Sequence, residues 1–168
     1  MEKEIITGKV HKFGDHVNTD AINPAKYMEL SMDEMIAHVL EGADPDFAAR
    51  VKPGDIIVAG KNFGSGSSRE TAPVSIKGAG VSLIIAEFFA RIFYRNAINV
   101  GLKVLICPEA AREVQAGDTL RVDVSAGIIE DVTTGKSYTC APLPDHILEL
   151  VEDGGLLNHL EKKLKEKG

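Results

Sequence analysis

The sequence predicts an α/β domain with a parallel sheet at its centre and an antiparallel group of strands beside it. Short runs at residues 55–59 and 81–86 are apolar almost throughout, and a helical segment separates them. Such runs are typical of strands that are covered on both faces in a parallel sheet. Residues 119–124 instead alternate between apolar and polar side chains, which indicates a strand with one wet face. The length of 168 residues suits one core, so we expect a single domain over 1–168.

Strands and helices alternate in the first two thirds of the chain. The strands are predicted at residues 5–13, 55–59, 81–86 and 102–107. The helices are predicted at residues 31–40, 71–79 and 87–98. Residues 21–30 show neither a clean period nor turn dipeptides, so we expect an ordered but mobile loop there. Residues 42–53 are interpreted as a connection that leads into the second strand.

The helix at 87–98 is predicted to be amphipathic. The side chains expected to face the core are Phe88, Phe89, Ile92 and Phe93. Arg91 and Arg95 share the opposite stripe, where they are solvated or meet a partner or a substrate. Beyond this helix, short strands at 128–132 and 137–140 join residues 119–124 in an antiparallel meander. Helices at 145–151 and from residue 156 end the chain.

Residues 60–70, with the sequence Gly-Lys-Asn-Phe-Gly-Ser-Gly-Ser-Ser-Arg-Glu, join a buried strand to the start of a helix. The right-handed crossover rule places this serine loop at the carboxyl edge of the sheet, where ligands of open α/β sheets bind. Free N–H groups at the helix start favour a carboxylate, a phosphate or an oxyanion. A structural explanation is also open, because Ser67 and Glu70 have the spacing of a capping box.

Three features of the serine loop favour a ligand site over a cap alone. It contains more glycines than a cap needs, Ser68 and Arg69 add donors, and Lys61 adds positive charge. A nucleotide P-loop is a weaker match, because Lys61 precedes the loop and no Gly-Lys-Ser/Thr follows it.

Composition excludes several classes of protein. The net charge of −6 gives no support to nucleic-acid binding, and no apolar run is long enough to span a membrane. We see no signal peptide. Cys107 and Cys140 are interpreted as reduced core thiols of a cytoplasmic protein, and two cysteines cannot fill the ligand set of an iron–sulfur cluster. The five histidines show no metal-ligand spacing, so a metal would have to come from another chain.

Three motifs together resemble the small subunit of 3-isopropylmalate dehydratase, the separate-chain version of the swivelling domain of aconitase. They lie at residues 15–24, 60–70 and 89–97, and the similarity runs from about residue 8 to residue 157. The resemblance implies a swivelling β/β/α three-layer domain, with a parallel central sheet and an antiparallel second sheet. It also implies a hydro-lyase of leucine biosynthesis that is active only with a large subunit, as a heterodimer or heterotetramer. The large subunit would carry a four-iron, four-sulfur cluster, and this chain would bind no cofactor.

The resemblance also implies roles for individual residues. Ser67 maps onto the general base, and Ser68 and Arg69 map onto contacts to a substrate carboxylate. The residues expected to support this loop are Thr19, Asp20, Gly64, Ser65 and Gly66. A neutral serine is a poor base, so we expect N–H donors and Arg69 to stabilise the alkoxide.

Residues 24–30 align with the loop that selects the substrate in this family, so Lys26, Tyr27, Met28 and Glu29 are expected to bind substrate. Members that act on tricarboxylates carry an arginine where this chain has Glu29. An acidic group there would repel a further carboxylate, which predicts an alkyl-substituted malate, first of all isopropylmalate. Lys26 can replace the missing positive charge, so homoaconitate and a methyl-substituted malate remain alternatives. A non-catalytic anion-binding module is the alternative of another class.

Overall fold

The protein is described by a computed structural model over residues 5–67 and 69–167. The strands in that part of the chain are β1 (Ile5–Lys12), β2 (Ile56–Val58), β3 (Leu83–Ala86), β4 (Lys103–Ile106), β5 (Thr119–Asp123), β6 (Ile128–Asp131) and β7 (Lys136–Thr139). They form one sheet in the order β4-β3-β2-β1-β5-β6-β7. Strands β1 to β4 are parallel, and β5 to β7 continue the sheet in antiparallel fashion. The predicted α/β class, with parallel and antiparallel parts, is confirmed.

Strand β1 belongs to both parts of the sheet. Its last residues pair in parallel with β2, from Val10 opposite Ile56 to Lys12 opposite Val58. Its first residues pair antiparallel with β5, beginning with Ile5 opposite Asp123. The antiparallel strands are therefore joined to the parallel strands through hydrogen bonds of one shared strand.

The helices are α1 (Thr19–Ile22), α2 (Met32–Ile36), α3 (Phe47–Arg50), α4 (Thr71–Gly78), α5 (Arg91–Asn99), α6 (Pro108–Glu113), α7 (Asp145–Glu152) and α8 (Leu156–Lys167). Two apolar cores lie on opposite faces of the sheet, because successive side chains of a strand point to opposite sides. Ile57 packs in the core beneath α4 and α5, whereas its neighbours Ile56 and Val58 pack in the core beneath α6. All residues of β2 and β3 are buried, as expected for strands covered on both faces.

Two segments predicted as irregular contain short helices. Residues 21–30 include the end of α1 and a 3₁₀ turn, Ala25–Tyr27, so the prediction of a loop was wrong there. Asn18 starts α1 because its side-chain oxygen accepts the N–H of Ala21 at 2.8 Å. The connection at 42–53 contains α3, which buries Phe47 completely. These helices are too short to produce a periodic pattern in the sequence.

The predicted inward face of the helix at 87–98 was partly wrong. The helix begins only at Arg91, and Phe88 and Ile92 are 46% and 50% exposed. Residues before Arg91 are extended instead, because Phe63 donates to the carbonyl of Phe88 at 3.2 Å and accepts the N–H of Ala90 at 2.9 Å. Side chains alternate in extended chain, so Phe89 is buried and Phe88 faces outward.

The second part of the chain follows the prediction closely. Leu120, Val122 and Val124 are buried on one face of the β5 segment. Helix α6 was not predicted, and it begins at Pro108, a residue that fits the first position of a helix. Among the described helices, none combines the length and the apolar character that a membrane crossing needs.

Candidate active site

Two loops extend the pairing of β1 and β2 beyond the carboxyl edge of the parallel strands. The N–H of Gly64 donates to the carbonyl of Val17 at 2.7 Å, and the N–H of Thr19 donates to that of Ser65 at 2.8 Å. The loop after β1 therefore runs beside the serine loop. This pairing delivers Thr19, the first residue of α1, to the side of Ser67.

A third loop closes the serine loop from the other side. Phe63 bridges to Phe89 in parallel fashion, and the rings of Phe63 and Phe93 meet edge to face with centroids 5.2 Å apart. Gly64 packs against the ring of Phe93 and has a φ of +84°. A Cβ at this position would lie 2.2 Å from Cγ of Phe93. Any larger residue at position 64 would collide with this aromatic group, so the glycine is required by both backbone and packing.

The loops enclose a cavity of about 270 Å³. Its lining residues are Thr19, Gly64, Gly66, Ser67, Arg69, Ala90, Arg91, Ile92, Phe93 and Asn96. The serine loop and α1 form one wall, and the start of α5 forms the other. The serine loop and α1 thus offer hydroxyls and a guanidinium. The start of α5 adds apolar surface from Ile92 and Phe93 and polar groups from Arg91 and Asn96.

Ser67 is exposed, and its backbone is held from the side of α1. The hydroxyl of Thr19 donates to the carbonyl oxygen of Ser67 at 2.8 Å. Helix α4 begins at Thr71 with Glu70 in the cap position, and Glu70 makes no side-chain capping bond. The capping-box explanation for Ser67 was therefore wrong. Within the described residues the Ser67 hydroxyl has no hydrogen-bond partner, and Ser67 lines the cavity. Ser68, the next predicted site residue, lies outside the described residues.

Arg69 is fixed against the end of α1. Its Nη1 donates to the carbonyl oxygens of Asn23, at 2.6 Å, and Thr19, at 3.3 Å. It also lies 3.3 Å from the carboxylate of Asp20. The side chain is 19% exposed, and its other N–H donors are not used by these contacts. Arg69 is thus a rigid cation with donors to spare at the wall of the cavity.

Asn23 ties this arrangement to the helix after the serine loop. Its side-chain amide donates to the hydroxyl of Ser75 at 3.0 Å in a buried bond between α1 and α4. Ser75 in turn donates to the carbonyl of Ala72. The end of α1, which holds Arg69, is therefore anchored to α4, and α4 is the helix that follows Arg69 in the chain.

The predicted specificity residues lie outside the cavity lining. Tyr27 stacks on His38 with ring centroids 3.9 Å apart, and its hydroxyl donates to Glu41 at 2.7 Å. The hydrogen bond from Tyr27, followed by that from His38, holds the pKa of Glu41 below its ordinary value. The ammonium of Lys26 lies 3.8 Å from the same carboxylate. Lys26 thus already has an anionic partner, which weakens the idea that its charge replaces the missing arginine.

Met28 and Glu29 are exposed on the turn that follows, away from the cavity wall. The structure brings together five predicted residues, Thr19, Gly64, Gly66, Ser67 and Arg69. Two more support them, because Asp20 contacts Arg69 and the backbone of Ser65 binds Thr19. The four residues of the specificity loop are not brought to this cavity.

Arg91 and Asn96 are cavity residues that were not predicted as part of a site. Arg91 was assigned to the outward stripe of a longer helix, where it was expected to be solvated or to meet a partner or a substrate. The signal that could have placed Arg91 in the site was the strand predicted at 81–86. The loop after this strand lies at the same edge of the parallel sheet as the serine loop. Arg91 is the first residue of α5 after that loop, and it lines the same cavity as Ser67.

The described cavity lining contains no cysteine, histidine or carboxylate, so it does not fit a metal ion or an iron–sulfur cluster. One described group elsewhere has metal-like spacing, formed by Glu149, Asp153 and His159. Its carboxylates already have ammonium partners, since Asp153 lies 3.2 Å from Lys162 and Glu149 lies 3.4 Å from Lys163. We assign no metal to that group.

Comparison with known proteins adds a family to this geometry. The model of the aconitase C-terminal domain matches residues 4–110. The small subunit of isopropylmalate/citramalate isomerase from Methanocaldococcus jannaschii is 53% identical over 165 residues, which cover 98% of each chain. The 3-isopropylmalate dehydratase small subunit of Nautilia profundicola is 52% identical, over 96% of this chain and 98% of the relative. The methanogen homoaconitase small subunit of Methanothermobacter thermautotrophicus is 53% identical, over 95% of this chain and 93% of the relative.

A solved structure agrees with the sequence relatives. The crystal structure of 3-isopropylmalate dehydratase from Methanocaldococcus jannaschii has a TM-score of 0.92 and 43% identity to this chain. The match covers 98% of this chain and the whole of that chain. The overlap therefore includes both the parallel and the antiparallel parts of the sheet.

Proposed function

Since this chain belongs to the aconitase C-terminal domain family, as a small subunit of the 3-isopropylmalate dehydratase type, we propose that it isomerises an alkyl-substituted malate together with a large subunit. The family predicted from the three motifs is confirmed by relatives of about 50% identity over nearly the whole chain. These relatives are named small subunits, which implies a large-subunit partner. We treat residues 1–168 as one swivelling domain and propose a heterodimer or heterotetramer.

One observation carries this proposal: a hydroxyl without a described partner and a fixed guanidinium share one cavity wall. Ser67 and Arg69 both line the cavity of about 270 Å³. Dehydration of a hydroxy acid removes a weakly acidic proton from a carbon next to a carboxylate. Arg69 binds that carboxylate, and Ser67 takes the proton on its side-chain oxygen. Binding the carboxylate to a cation also stabilises the negative charge that develops when the proton leaves.

Ser67 must lose its own proton before it acts as a base. The cations that line the cavity, Arg69 and Arg91, favour the alkoxide over the neutral hydroxyl. The bond from Thr19 to the Ser67 carbonyl holds the loop, so the side-chain oxygen stays at the cavity wall. In the return step Ser67 gives the proton to the carbon that lost the hydroxyl group, and hydroxide adds to the carbon that lost the proton, which completes the isomerisation.

We expect the four-iron, four-sulfur cluster on the large subunit, because the described cavity lining of this chain offers no ligand for it. When bound there, the cluster supplies the Lewis acid that assists departure of the hydroxyl group. The role of this chain is to bind the carboxylate, to orient the carbon that loses the proton and to move that proton.

Isopropylmalate is the substrate that we propose first. Ile92 and Phe93 give the cavity an apolar wall, which suits an alkyl group, and Glu29 disfavours a further carboxylate. The related names include an isopropylmalate/citramalate isomerase and a homoaconitase, so a methyl-substituted malate and homoaconitate are the competing substrates. We further propose that Lys26, Tyr27, Met28 and Glu29 meet the substrate only when the large subunit is bound. Ser68 is assigned a contact to the same carboxylate as Arg69.

The test is reconstitution with a cluster-containing large subunit and a kinetic panel. The panel compares kcat/KM for isopropylmalate, a methyl-substituted malate, citrate and homocitrate. We expect activity only on mixing and the largest kcat/KM for isopropylmalate. Preference for homocitrate would instead support the homoaconitate alternative. Tight phosphate binding by the isolated chain, with no activity on mixing, would support a non-catalytic anion-binding module.

A further inference from the structure

The fold brings the two cysteines of the chain close together. Cys107 directly follows β4, and Cys140 directly follows β7. Cys107 lies in one apolar core, and Cys140 packs against the same core. The Cys107 Sγ also lies 4.0 Å from the carbonyl oxygen of Thr139, the residue before Cys140. Both thiols are free, so the pair is a dithiol in this structure.

The two cysteines follow the two edge strands of the described sheet. Strands β4 and β7 are the two edges of the described sheet, since the strand order runs from β4 to β7. The sheet curls far enough for α6, which follows β4, to reach β7. Glu113 of α6 lies 3.3 Å from both the hydroxyl of Tyr138 and the ammonium of Lys136. The two thiols meet at this closure, where a covalent bond would join one edge of the sheet to the other.

We propose that Cys107 and Cys140 form a site of reversible disulfide formation, with hydrogen peroxide as the oxidant. The bond would connect the start of α6 to the end of β7. Nothing in the proposed dehydratase activity requires this site. Cys107 packs in the core on one face of the sheet, whereas Phe63 and Phe93 of the cavity region pack in the core on the other face.

The surroundings of the two sulfurs assign them different roles. The hydrogen bond from Cys140 lowers the pKa of Cys107 to about 6, with help from the Ala110 backbone and Arg112 and against burial and Glu109. The same hydrogen bond, followed by burial, raises the pKa of Cys140. Near neutral pH, Cys107 is therefore the thiolate and Cys140 the thiol. A thiolate beside a thiol is the combination that a two-step oxidation needs.

The reaction proceeds in two balanced steps. The Cys107 thiolate attacks one oxygen of hydrogen peroxide, the O–O bond breaks, and hydroxide leaves to become water with a solvent proton. The product is a sulfenic acid on Cys107. Cys140 sulfur then attacks Cys107 sulfur, the S–O bond breaks, and the departing hydroxide takes the Cys140 proton as a second water. Two thiols lose two electrons in total, and one peroxide is reduced to two waters.

Access favours a small oxidant. Cys107 is 2% exposed, so a bulky disulfide reagent would reach it slowly, whereas hydrogen peroxide is close to water in size. Cys140 is half-buried, and it lies beside Cys107 rather than free on the surface. We therefore expect the bond to form within one chain and not between chains.

The experiment treats the purified full-length chain with a slight excess of hydrogen peroxide and then counts thiols under denaturing conditions. We expect both thiols to disappear, the intact mass to fall by two hydrogen atoms, and dithiothreitol to reverse both changes. The melting temperature should rise by about 5 to 10 °C, because the bond restricts the unfolded chain. Retention of both thiols, or a chain that gains oxygen atoms without losing two hydrogens, would overturn the proposal.

Two single variants test the assigned roles. Cys140→Ser should still react but stop at a sulfenic acid on Cys107, trapped by dimedone as a mass adduct. Cys107→Ser should react at least about tenfold more slowly, because Cys140 remains protonated. Equal reaction rates of the two variants would contradict the assignment of Cys107 as the attacking thiolate. Covalent dimers in the wild-type protein would contradict the intramolecular bond. These readouts do not depend on the activity of the assembled enzyme.

Discussion

The hydroxyl of Thr19 donates a 2.8 Å hydrogen bond to the carbonyl oxygen of Ser67, across a separation of 48 residues. The bond joins the first residue of α1 to the residue proposed as the base. The N–H of Thr19 is also held, by the carbonyl of Ser65. Thr19 therefore contacts the serine loop at two points, and its hydroxyl is the contact that a substitution can remove without changing the backbone.

Thr19→Val should lower kcat of the assembled enzyme while leaving the fold intact. Valine matches the shape of threonine but cannot donate to the Ser67 carbonyl, so the loop would lose its restraint. We expect a loss of about 1 kcal/mol of unfolding free energy, the usual net value of one hydrogen bond. Thr19→Ser keeps the hydroxyl and is the matched control. If Thr19→Val and Thr19→Ser have equal kcat, this bond does not position Ser67.

Ser67→Ala should reduce turnover by orders of magnitude with little change in assembly or melting temperature. The side-chain oxygen is the proposed proton acceptor, and no described residue depends on it for a hydrogen bond. Ser137→Ala, which alters an exposed serine on β7, is the control and should keep normal turnover. The measurement is single-turnover and steady-state kinetics of the reconstituted pair. Near-normal turnover in Ser67→Ala would remove this residue from the mechanism.

Gly64→Ala should destabilise the protein more than Gly117→Ala. Both glycines have similar positive φ angles, +84° and +86°, so both variants pay a similar backbone strain of about 1 to 2 kcal/mol. Only at Gly64 does the added methyl group meet Phe93, since nothing lies within 4 Å at Gly117. Urea unfolding of the two variants isolates the packing component. Equal losses would show that the Phe93 contact relaxes without cost.

Glu29→Arg should shift the kcat/KM ratio of the reconstituted enzyme toward a tricarboxylate. The substitution replaces a charge that repels an extra carboxylate by one that attracts it. Glu152→Arg makes the same charge change at the exposed end of α7 and controls for net charge. The ratio of homocitrate to isopropylmalate activity is measured for both variants. The proposed role of Glu29 would be excluded by an unchanged ratio, or by equal shifts in both variants.

Asp131→Asn should stabilise the protein at neutral pH but not in acid. Asp131 is 1% exposed, and its burial, followed by the neighbouring carboxyl group of Asp118, raises its pKa above the ordinary 3.8. A raised pKa means that the folded state binds the proton more tightly. The stabilisation is complete below the unfolded pKa and is lost as the pH rises through the folded pKa. Asparagine stays neutral throughout, and it keeps an oxygen for the N–H groups of Thr133 and Thr134.

The measurement for Asp131→Asn is the difference in unfolding free energy from the wild-type protein between about pH 3 and pH 7. Using the difference removes the contribution of carboxylates that both proteins share. We expect the difference to grow with pH in favour of asparagine. A difference that does not vary with pH would show that Asp131 titrates normally in the folded protein.

The predictions from sequence succeeded where the structure depends on short-range patterns. The alternation of Leu120 and Val122 located β5, and the apolar run at 55–59 located β2, because each pattern reports burial of its own strand. The helix at 87–98 was extended too far because Phe88 and Ile92 have helical spacing with Phe89. Pairing of that segment with Phe63, more than 20 residues earlier, decides its conformation, and no local pattern reports such pairing.

The same reasoning applies to the site. Ser67 and Arg69 were found because they adjoin a glycine-rich turn after a buried strand, which is a local signal. Arg91 was predicted to be solvated or to meet a partner or a substrate, but it was not placed in one site with Ser67, because its place in the cavity lining depends on where α5 begins. The contact between Cys107 and Cys140 depends on the curl of the whole sheet and on the meeting of its two edges. Neither relationship is encoded in the spacing of residues along the chain.

Because β1 pairs with both parts of the sheet, its pairing is completed only late in the synthesis of the chain. Strand β1 is made before both of its partners: it pairs on one side with β2, which is complete at Val58, and on the other with β5, which ends at Asp123. Its N-terminal half has no sheet partner until most of the chain has been made. The open amides of residues 5–9 are then a template for strands of other chains, and this is the period in which nascent chains are most exposed to aggregation.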